Sequence, residues 1–330
     1  MRARERLAGE WRAISGGKAR RREAGEADMD GYKRIPTAAG SLGEALALGR
    51  AFWQLTKPRV VALLVLTAWV GMMLATTGLP DFARMLVASL GIAMVSGAAA
   101  AFNHVLDHKI DARMARTRLR PLPSGRLSGA QALGFACALA AAGFVLLLVE
   151  VNALTAWLTL AGLFGYAVVY TVFLKRATPQ NIVIGGVAGA LPPVLGWTAM
   201  TGTVGAEAWL LMMIVFTWTP PHFWALAIHR VEDYRRAGLP MLPVTHGIEF
   251  TRTLVLLYTV LLLAVCLLPY LVGMSGPFYL AGSLALNLRF LHHAWRLKFA
   301  PRADTAIRTF RFSITHLMML FLVLLADHYL

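Results

Sequence analysis

Long apolar stretches repeat along most of this chain and constrain its fold more than any other feature. There are nine, at residues 60–77, 82–102, 131–149, 154–173, 182–200, 208–228, 253–272, 276–291 and 313–328. Each is close to the roughly 20 apolar residues that an α-helix needs to cross a bilayer. Because 58% of the 330 residues are hydrophobic and only 15% are charged, we predict an all-α, polytopic membrane bundle of about nine transmembrane helices.

The positions of the basic residues predict how this bundle is oriented. Loops rich in Lys and Arg stay in the cytoplasm. Of 32 Lys and Arg, 13 precede the first apolar stretch, 18 lie in alternate loops, and only Arg84 lies on the opposite side. The N-terminus is therefore predicted to be cytoplasmic. The net charge of +15 is mainly a topology signal, with attraction to anionic lipid a secondary effect, and the spread of charge over alternate loops disfavours nucleic-acid binding.

The first 50 residues differ in composition from the rest. They have little apolar periodicity and are predicted to form a disordered basic cytoplasmic tail, residues 1–50, ahead of an intramembrane domain at residues 51–330. No apolar core follows the first charges, as a secretory signal would require, and the acidic residues of the tail argue against a mitochondrial transit peptide. The change of composition near Met29 leads to the hypothesis that translation starts there.

A polar segment follows the second apolar stretch. Asn103, Asp107 and Asp111 recur every four residues, which places their side chains on one side of a helix. Carboxylate and amide oxygens are ligands for Mg2+, and arginines such as Arg116 and Arg120 are suited to phosphate oxygens. The segment therefore predicts a metal-bridged diphosphate site at the membrane surface. An Asp pair of this kind, taken alone, is more often a solvated helix face.

A second polar segment follows the sixth stretch, on the same predicted side. Its polar residues include His222, His229, Arg230, Glu232 and Asp233. A helix break is predicted at Pro220–Pro221. If the two helices are neighbours, both acidic patches converge on one metal and diphosphate cluster. Their coincidence on one side favours this interpretation, since ionisable residues at membrane depth are functional by default.

Other unusual residues have structural interpretations. Cys137 and Cys266 lie inside apolar stretches, where they are expected to act as small hydrophobic residues. Gly185, Gly186 and Gly189 are predicted to form a small-residue face that allows helices to approach closely.

Two sets of residues carry a resemblance to a known family. The run from Asn103 to Asp111, with Arg116-Thr117 and Arg120-Pro121-Leu122, resembles the first Asp-rich motif of the UbiA-type intramembrane prenyltransferase superfamily. Further segments resemble its protohaem IX farnesyltransferase (haem O synthase) branch: Tyr170-Thr171, Leu174-Lys175-Arg176, Pro192-Pro193, Pro221-His222-Phe223 and Asp233-Tyr234-Arg235. The likeness covers roughly residues 50–330. His229 stands where relatives usually have a carboxylate, which leaves open whether one metal ion or two bind.

The resemblance implies an activity and residue roles. Enzymes of that branch alkylate a vinyl group of haem B with farnesyl diphosphate and add water, which gives haem O. The residues that would hold Mg2+ against the diphosphate are Asp107, Asp111 and Asp233, assisted by Asn103 and Glu232. Those that would supply further positive charge to the diphosphate are Arg116, Arg120, Lys175 and Arg176.

The resemblance leaves the haem position less defined. The predicted haem contacts are His222, His229 and Arg230, and His104 and His108 are the other histidines of the active face that could contact haem. Aromatic side chains would shelter the allylic cation, with candidates at Tyr166, Tyr170, Phe173, Trp197 and Trp218. The active face is predicted on the cytoplasmic side of a bacterial inner membrane, with membrane lipid beside the farnesyl tail and a downstream haem-modifying enzyme as a further partner.

Three other functions stay open at this point. The chain could prenylate a different aromatic acceptor. It could carry haem without catalysis, in which case the histidines would be central and the aspartates incidental. A CDP-alcohol phosphotransferase also has an Asp-rich motif, but residues 113–130 contain no acidic residue to complete its signature.

Overall fold

Helices make up the regular structure of the protein. The computed structural model describes residues 41–114 and 117–330, and within these ranges it contains no strand. The α-helices are α1 (Ser41–Leu55), α2 (Pro58–Leu74), α3 (Phe82–Asp111), α4 (Gly129–Glu150), α5 (Ala153–Phe164), α6 (Lys175–Ala177), α7 (Asn181–Ala190), α8 (Pro192–Thr201), α9 (Ala206–His229), α10 (Val231–Arg236), α11 (Leu242–Thr245), α12 (Gly247–Leu271), α13 (Pro277–Phe299) and α14 (Thr305–Tyr329). A π-helix, π1 (Gly165–Leu174), joins α5 to α6. The predicted all-α fold class is confirmed.

Several of these helices, alone or joined to the next, are long and apolar enough to cross a membrane. Seven spans meet this condition, formed by α3, α4, α5 with π1, α7 with α8, α9, α12 and α14. Helices α1 and α2 make an eighth if the pair, bent by 49°, is one span. The predicted span at 276–291 lies in α13, whose last turn carries Arg296 and Lys298. The described residues thus give seven or eight spans, and the predicted count of about nine and the cytoplasmic N-terminus stay predictions.

The helical region begins earlier than the sequence predicts. Helix α1 starts at Ser41, so residues 41–50 of the predicted tail are helical. Ala51 and Leu55 are buried against α3 and α4, and this apolar face stabilises a helix that charge patterning does not reveal. Residues 1–40, including Met29, lie outside the described residues.

Helix α3 carries the first polar segment into the bundle. The Asp81 side chain caps its N-terminus by accepting hydrogen bonds from backbone N–H groups of the first turn, and the helix then continues for 30 residues. As predicted, Asn103, Asp107 and Asp111 lie together on one side. Asp107 is 1% exposed and Asp111 is 4% exposed, which excludes a solvated helix face.

The predicted break at Pro220–Pro221 is wrong. Helix α9 continues without interruption from Ala206 to His229, with both prolines inside it. The two prolines are buried, and α9 packs along α12 and α14. Packing against neighbouring helices preserves a membrane helix at prolines that would break an isolated one.

Glycines allow α2 and α8 to approach each other closely. A Cβ on Gly71 would lie 2.0 Å from the carbonyl oxygen of Pro193, and one on Gly196 would lie 1.9 Å from that of Ala68. A backbone oxygen cannot move away without moving its helix, so this crossing requires glycine at both positions.

The two polar segments meet at one end of the bundle. Met114, just after α3, lies in the same buried cluster as Tyr234 and Leu239, which follow α9. Trp224 and Leu297 from the bundle complete this contact. Members of one contact cluster are close in space, so the C-terminal ends of α3 and α9 lie on the same side, as predicted.

Candidate active site

A cavity of about 470 Å3 lies between α2, α3, the α5–π1 helix, α7, α8 and α9. Most of its wall is apolar and includes Leu64, Leu163 and Leu195. Its two charged lining residues, Lys57 and Arg120, are bonded to Asn103 and Asp111 at the C-terminal end of α3. An apolar cavity with a few converging polar groups is the usual form of a small-molecule site.

Asp107 accepts two close hydrogen bonds beside this cavity. Nζ of Lys175 lies 2.5 Å from its Oδ2, and Nδ2 of Asn103 donates to the same oxygen at 2.8 Å. The same Nδ2 also lies 3.2 Å from Oγ1 of Thr171, a residue of π1. The structure therefore joins three of the predicted site residues, from α3 and α6, in one buried network.

Lys57 completes this network and is missed by the sequence reasoning. Its Nζ donates to Oδ1 of Asn103 at 2.6 Å and lies 3.4 Å from the Tyr166 hydroxyl. Its backbone has a φ of 50°, which is uncommon for a residue other than glycine. This turn separates α1 from Pro58 at the start of α2. The available signal was a lysine immediately before Pro58, two residues ahead of the first apolar stretch.

Asp111 forms the second acidic contact of the site. Nη1 of Arg120 lies 2.7 Å from its Oδ2, and the Thr117 hydroxyl donates to its carbonyl oxygen at 2.7 Å. Arg120 is thus brought to the cavity, as predicted. Arg116 and the side chain of Arg176 lie outside the described part of the chain.

Two tyrosines of π1 form one wall of the cavity. The rings of Tyr166 and Tyr170 are stacked, with centroids 5.7 Å apart. Gly185 makes room for the second ring, since a Cβ there would lie 2.3 Å from Cδ2 of Tyr170. The predicted close packing holds at Gly185 and at Gly186, whereas Gly189 lines the cavity and a Cβ there would meet nothing within 4 Å.

The other predicted aromatic residues lie elsewhere. Phe173 is exposed, and Nε1 of Trp218 donates to the carbonyl oxygen of Ser313 at 2.9 Å. Neither these two nor Trp197 is among the residues that line the cavity, whereas Phe223 is.

The acidic residues of the second polar segment do not reach the first. Glu232 and Asp233 are exposed on the short helix α10, and Glu232 pairs with Arg235. Burial of Tyr234 in the core directs its neighbours towards solvent. Within the described residues, no group of three or more His, Cys, Asp or Glu side chains is arranged to hold a metal ion.

The predicted haem contacts do not line this cavity either. Nδ1 of His222 lies 2.7 Å from Oγ of Ser313, and its ring stacks on Trp218 with centroids 4.2 Å apart, so it faces α14. His229 is exposed and lines a different cavity. Arg230 lines neither.

His104 is a buried histidine close to the first cavity, although it is not among the residues that line it. It lies on α3 one turn from Ala100, which lines the cavity. The residue is 3% exposed, and neither ring nitrogen has a hydrogen-bond partner within the described residues. Buried polar groups are normally paired, so this imidazole is available to a ligand.

Comparison with known sequences identifies the family. Residues 64–323 match the model of the UbiA prenyltransferase family, which is most of the chain. The chain belongs to the UbiA prenyltransferase family. UbiA relatives named protoheme IX farnesyltransferase are 60% identical over 283 residues in Vibrio parahaemolyticus, covering 86% of this chain and 94% of the relative. In Colwellia psychrerythraea the identity is 60% over 289 residues, covering 88% and 94%.

Solved structures of UbiA homologues have the same fold. That of a digeranylgeranylglyceryl phosphate synthase superposes with a TM-score of 0.73 at 18% identity, covering 86% of this chain and 99% of the other. A UbiA homologue from Archaeoglobus fulgidus bound to GPP and Mg2+ superposes with a TM-score of 0.56 at 16% identity, covering 83% and 99%. At such identities the likeness establishes the membrane helical fold.

Proposed function

We propose that this protein transfers a farnesyl group from farnesyl diphosphate to a vinyl group of haem B, with addition of water, and so forms haem O. The observation that carries the proposal is the apolar cavity flanked by the buried carboxylates of Asp107 and Asp111. It occurs in a chain 60% identical to relatives named protoheme IX farnesyltransferase. The active face is proposed to be cytoplasmic, in the bacterial inner membrane.

The reaction balances without an oxidant or reductant. The bond between farnesyl C1 and the diphosphate oxygen breaks, and its electron pair leaves with the diphosphate. C1 bonds to the terminal vinyl carbon, the oxygen of water adds to the other vinyl carbon, and one proton is released.

Asp107 and Asp111 fit a Mg2+ ion that is shared with the diphosphate. Mg2+ is usually held by one or two carboxylates together with substrate phosphates and water, so two buried carboxylates are sufficient. Bound there, Mg2+ would stabilise the negative charge of the leaving diphosphate. Asn103 would assist through its side-chain oxygen. The motif alone supports Glu232 and Asp233 as further members of this site, since both are exposed on α10 in this structure.

Three cations are placed to bind the diphosphate. Lys57, Arg120 and Lys175 each contact an oxygen of Asn103, Asp111 or Asp107. Lysine and arginine make short charge-assisted bonds to phosphate oxygens. These three cations would therefore bind the oxygens of the diphosphate. The motif adds Arg116 and Arg176 to this group.

The apolar wall and the two stacked tyrosines would hold the farnesyl chain. Aromatic faces stabilise an allylic cation, and a dry cavity protects it from premature attack by water. His104 is proposed as a haem contact in place of His222 and His229, because its buried imidazole has no partner among the described residues.

The decisive experiment uses purified protein with haem B, farnesyl diphosphate and Mg2+, followed by mass spectrometry of the extracted haem. We expect a haem heavier by one farnesyl group and one water, and none when EDTA is present. Prenylation of hydroxybenzoate in place of haem would overturn the choice of acceptor. Haem binding without any product would instead support a carrier.

A further inference from the structure

A second cavity, of about 400 Å3, lies where the C-terminal ends of α9 and α13 meet the N-terminal ends of α12 and α14. It shares no lining residue with the first cavity. Its walls are partly apolar, and its polar residues are His229, Arg252 and Arg302. The two cavities are therefore separate sites.

Positive charge is in excess around this second cavity. Glu249 is shared by two cations, since it pairs with Arg252 at 3.3 Å and also with Lys298. Asp304, beside the cavity, is paired with Arg308 at 2.6 Å. In the part of the chain that the structure describes, the guanidinium of Arg302 forms neither a hydrogen bond nor an ion pair.

Arg252 also presents a buried donor without an acceptor. Its Nη1 bonds to Glu249, but its Nε is buried and has no partner within the described residues. Buried donors are rarely left unpaired. A ligand in this cavity that accepts a hydrogen bond from Nε would complete the arrangement.

The start of α14 adds to the positive electrostatic potential of the second cavity. Asp304 makes no side-chain cap for the 25-residue helix, so the N–H groups of its first turn are not satisfied by a cap. The positive end of the helix dipole lies at the same point, beside Ala303 and Ala306 in the cavity wall.

We propose that this cavity binds a phosphate group, carried by an anionic lipid headgroup or by a free phosphate. Guanidinium groups bind phosphate oxygens well, and basic pockets at the ends of membrane helices accept lipid headgroups. The apolar side chains of Ile228, Ile248 and Leu297 in the wall would contact the glycerol and acyl region of a lipid. This site is independent of the proposed farnesyl transfer.

The test compares the full-length protein with the double variant Arg252→Gln/Arg302→Gln. Arg311→Gln is the matched control, because it removes an exposed arginine from the same helix, outside the cavity wall. In one arm, native mass spectrometry of protein from phosphatidylglycerol nanodiscs measures retained lipid. In the other, calorimetry in lipid-free detergent without Mg2+ measures binding of inorganic phosphate and diphosphate.

We expect the double variant to bind at least tenfold less in one of the two arms, which identifies the source of the phosphate. Equal binding by wild type and double variant in both arms would overturn the proposal. Arg302→Gln alone leaves both ion pairs of Glu249 intact. If the double variant fails to fold, the same binding comparison is made with Arg302→Gln, and unchanged binding then overturns the proposal. A loss of the same size in Arg311→Gln would also contradict the proposal, since the effect would then be one of general surface charge.

Discussion

Lys57 donates a hydrogen bond of 2.6 Å to Asn103, although the two residues are 46 positions apart. This bond fixes the amide of Asn103, whose oxygen faces Lys57 and whose nitrogen donates to Asp107. The turn between α1 and α2 is thereby part of the acidic site.

Lys57→Gln should weaken binding of the diphosphate. A hydrogen bond to a charged group contributes about 1.5–3 kcal/mol, so we expect kcat/KM for farnesyl diphosphate to fall by about tenfold to a hundredfold. Steady-state kinetics of the variant measure this. Arg59→Gln, an exposed position two residues later, is the control, and an equal loss there would show that only general charge matters.

Asp107→Asn should nearly abolish transfer. It keeps the shape of the side chain but removes the charge that would hold Mg2+, and removal of one stabilising group of this kind lowers kcat by about 10²–10³. The rate of haem O formation at saturating Mg2+ checks this. Asp81→Asn retains a capping side chain at the other end of α3 and should be fully active. Unchanged activity in Asp107→Asn would exclude the proposed metal site.

Gly189→Leu should change which prenyl donor is accepted. The added side chain would enter the cavity, because nothing lies within 4 Å of a Cβ at this position. We expect kcat/KM to fall about tenfold or more for farnesyl diphosphate and less for the shorter geranyl diphosphate. The measurement is the ratio of kcat/KM for farnesyl diphosphate to kcat/KM for geranyl diphosphate. Gly134→Leu, on an exposed face of α4, should leave the ratio unchanged.

Gly196→Ala should destabilise the fold. A Cβ there would lie 1.9 Å from the Ala68 carbonyl oxygen, so α2 and α8 would have to separate, at a cost of about 1–3 kcal/mol. Thermal unfolding in detergent should show a lower Tm. Gly134→Ala, with nothing within 4 Å, should unfold at the same or a higher temperature.

His104→Ala should weaken the binding of haem B and leave the binding of farnesyl diphosphate nearly unchanged. We expect the KM for haem B to rise by about tenfold, in keeping with a lost hydrogen bond or ligand, with little change in the KM for farnesyl diphosphate. His108→Ala is the control, because its ring is exposed and bonds to the carbonyl oxygen of Val105. Equal KM values for haem B in both variants would exclude His104 as a haem contact.

Local periodicity was sufficient to predict the acidic face. The four-residue spacing of Asn103, Asp107 and Asp111 fixes a shared helix side whatever the tertiary packing. The apolar stretches likewise predicted an all-α membrane protein. Both conclusions depend on residues that are close in sequence.

The remainder of the site depends on tertiary contacts. Lys57 reaches Asn103 only because α2 packs beside α3, and no pattern near Lys57 encodes that contact. The helix break predicted beside His222 is wrong, because packing maintains α9 through both prolines, and the His222 ring contacts Ser313 of α14. Asp233 was grouped with Asp107 because both acidic patches lie on one predicted side and match the motif, whereas the structure buries Tyr234 and leaves Asp233 exposed.

The π-helix between Gly165 and Leu174 makes the length of this segment part of the chemistry. The i→i+5 hydrogen bonds of a π-helix make a wider turn than those of an α-helix, so the loss of a single residue here would change the winding that places Lys175 beside Asp107 while leaving every side chain type in place. Substitutions within the segment can be absorbed one at a time, but an insertion or deletion would separate the lysine from its aspartate. Among relatives that carry out the same reaction, we therefore expect gaps to fall in the loops and not between Tyr166 and Lys175.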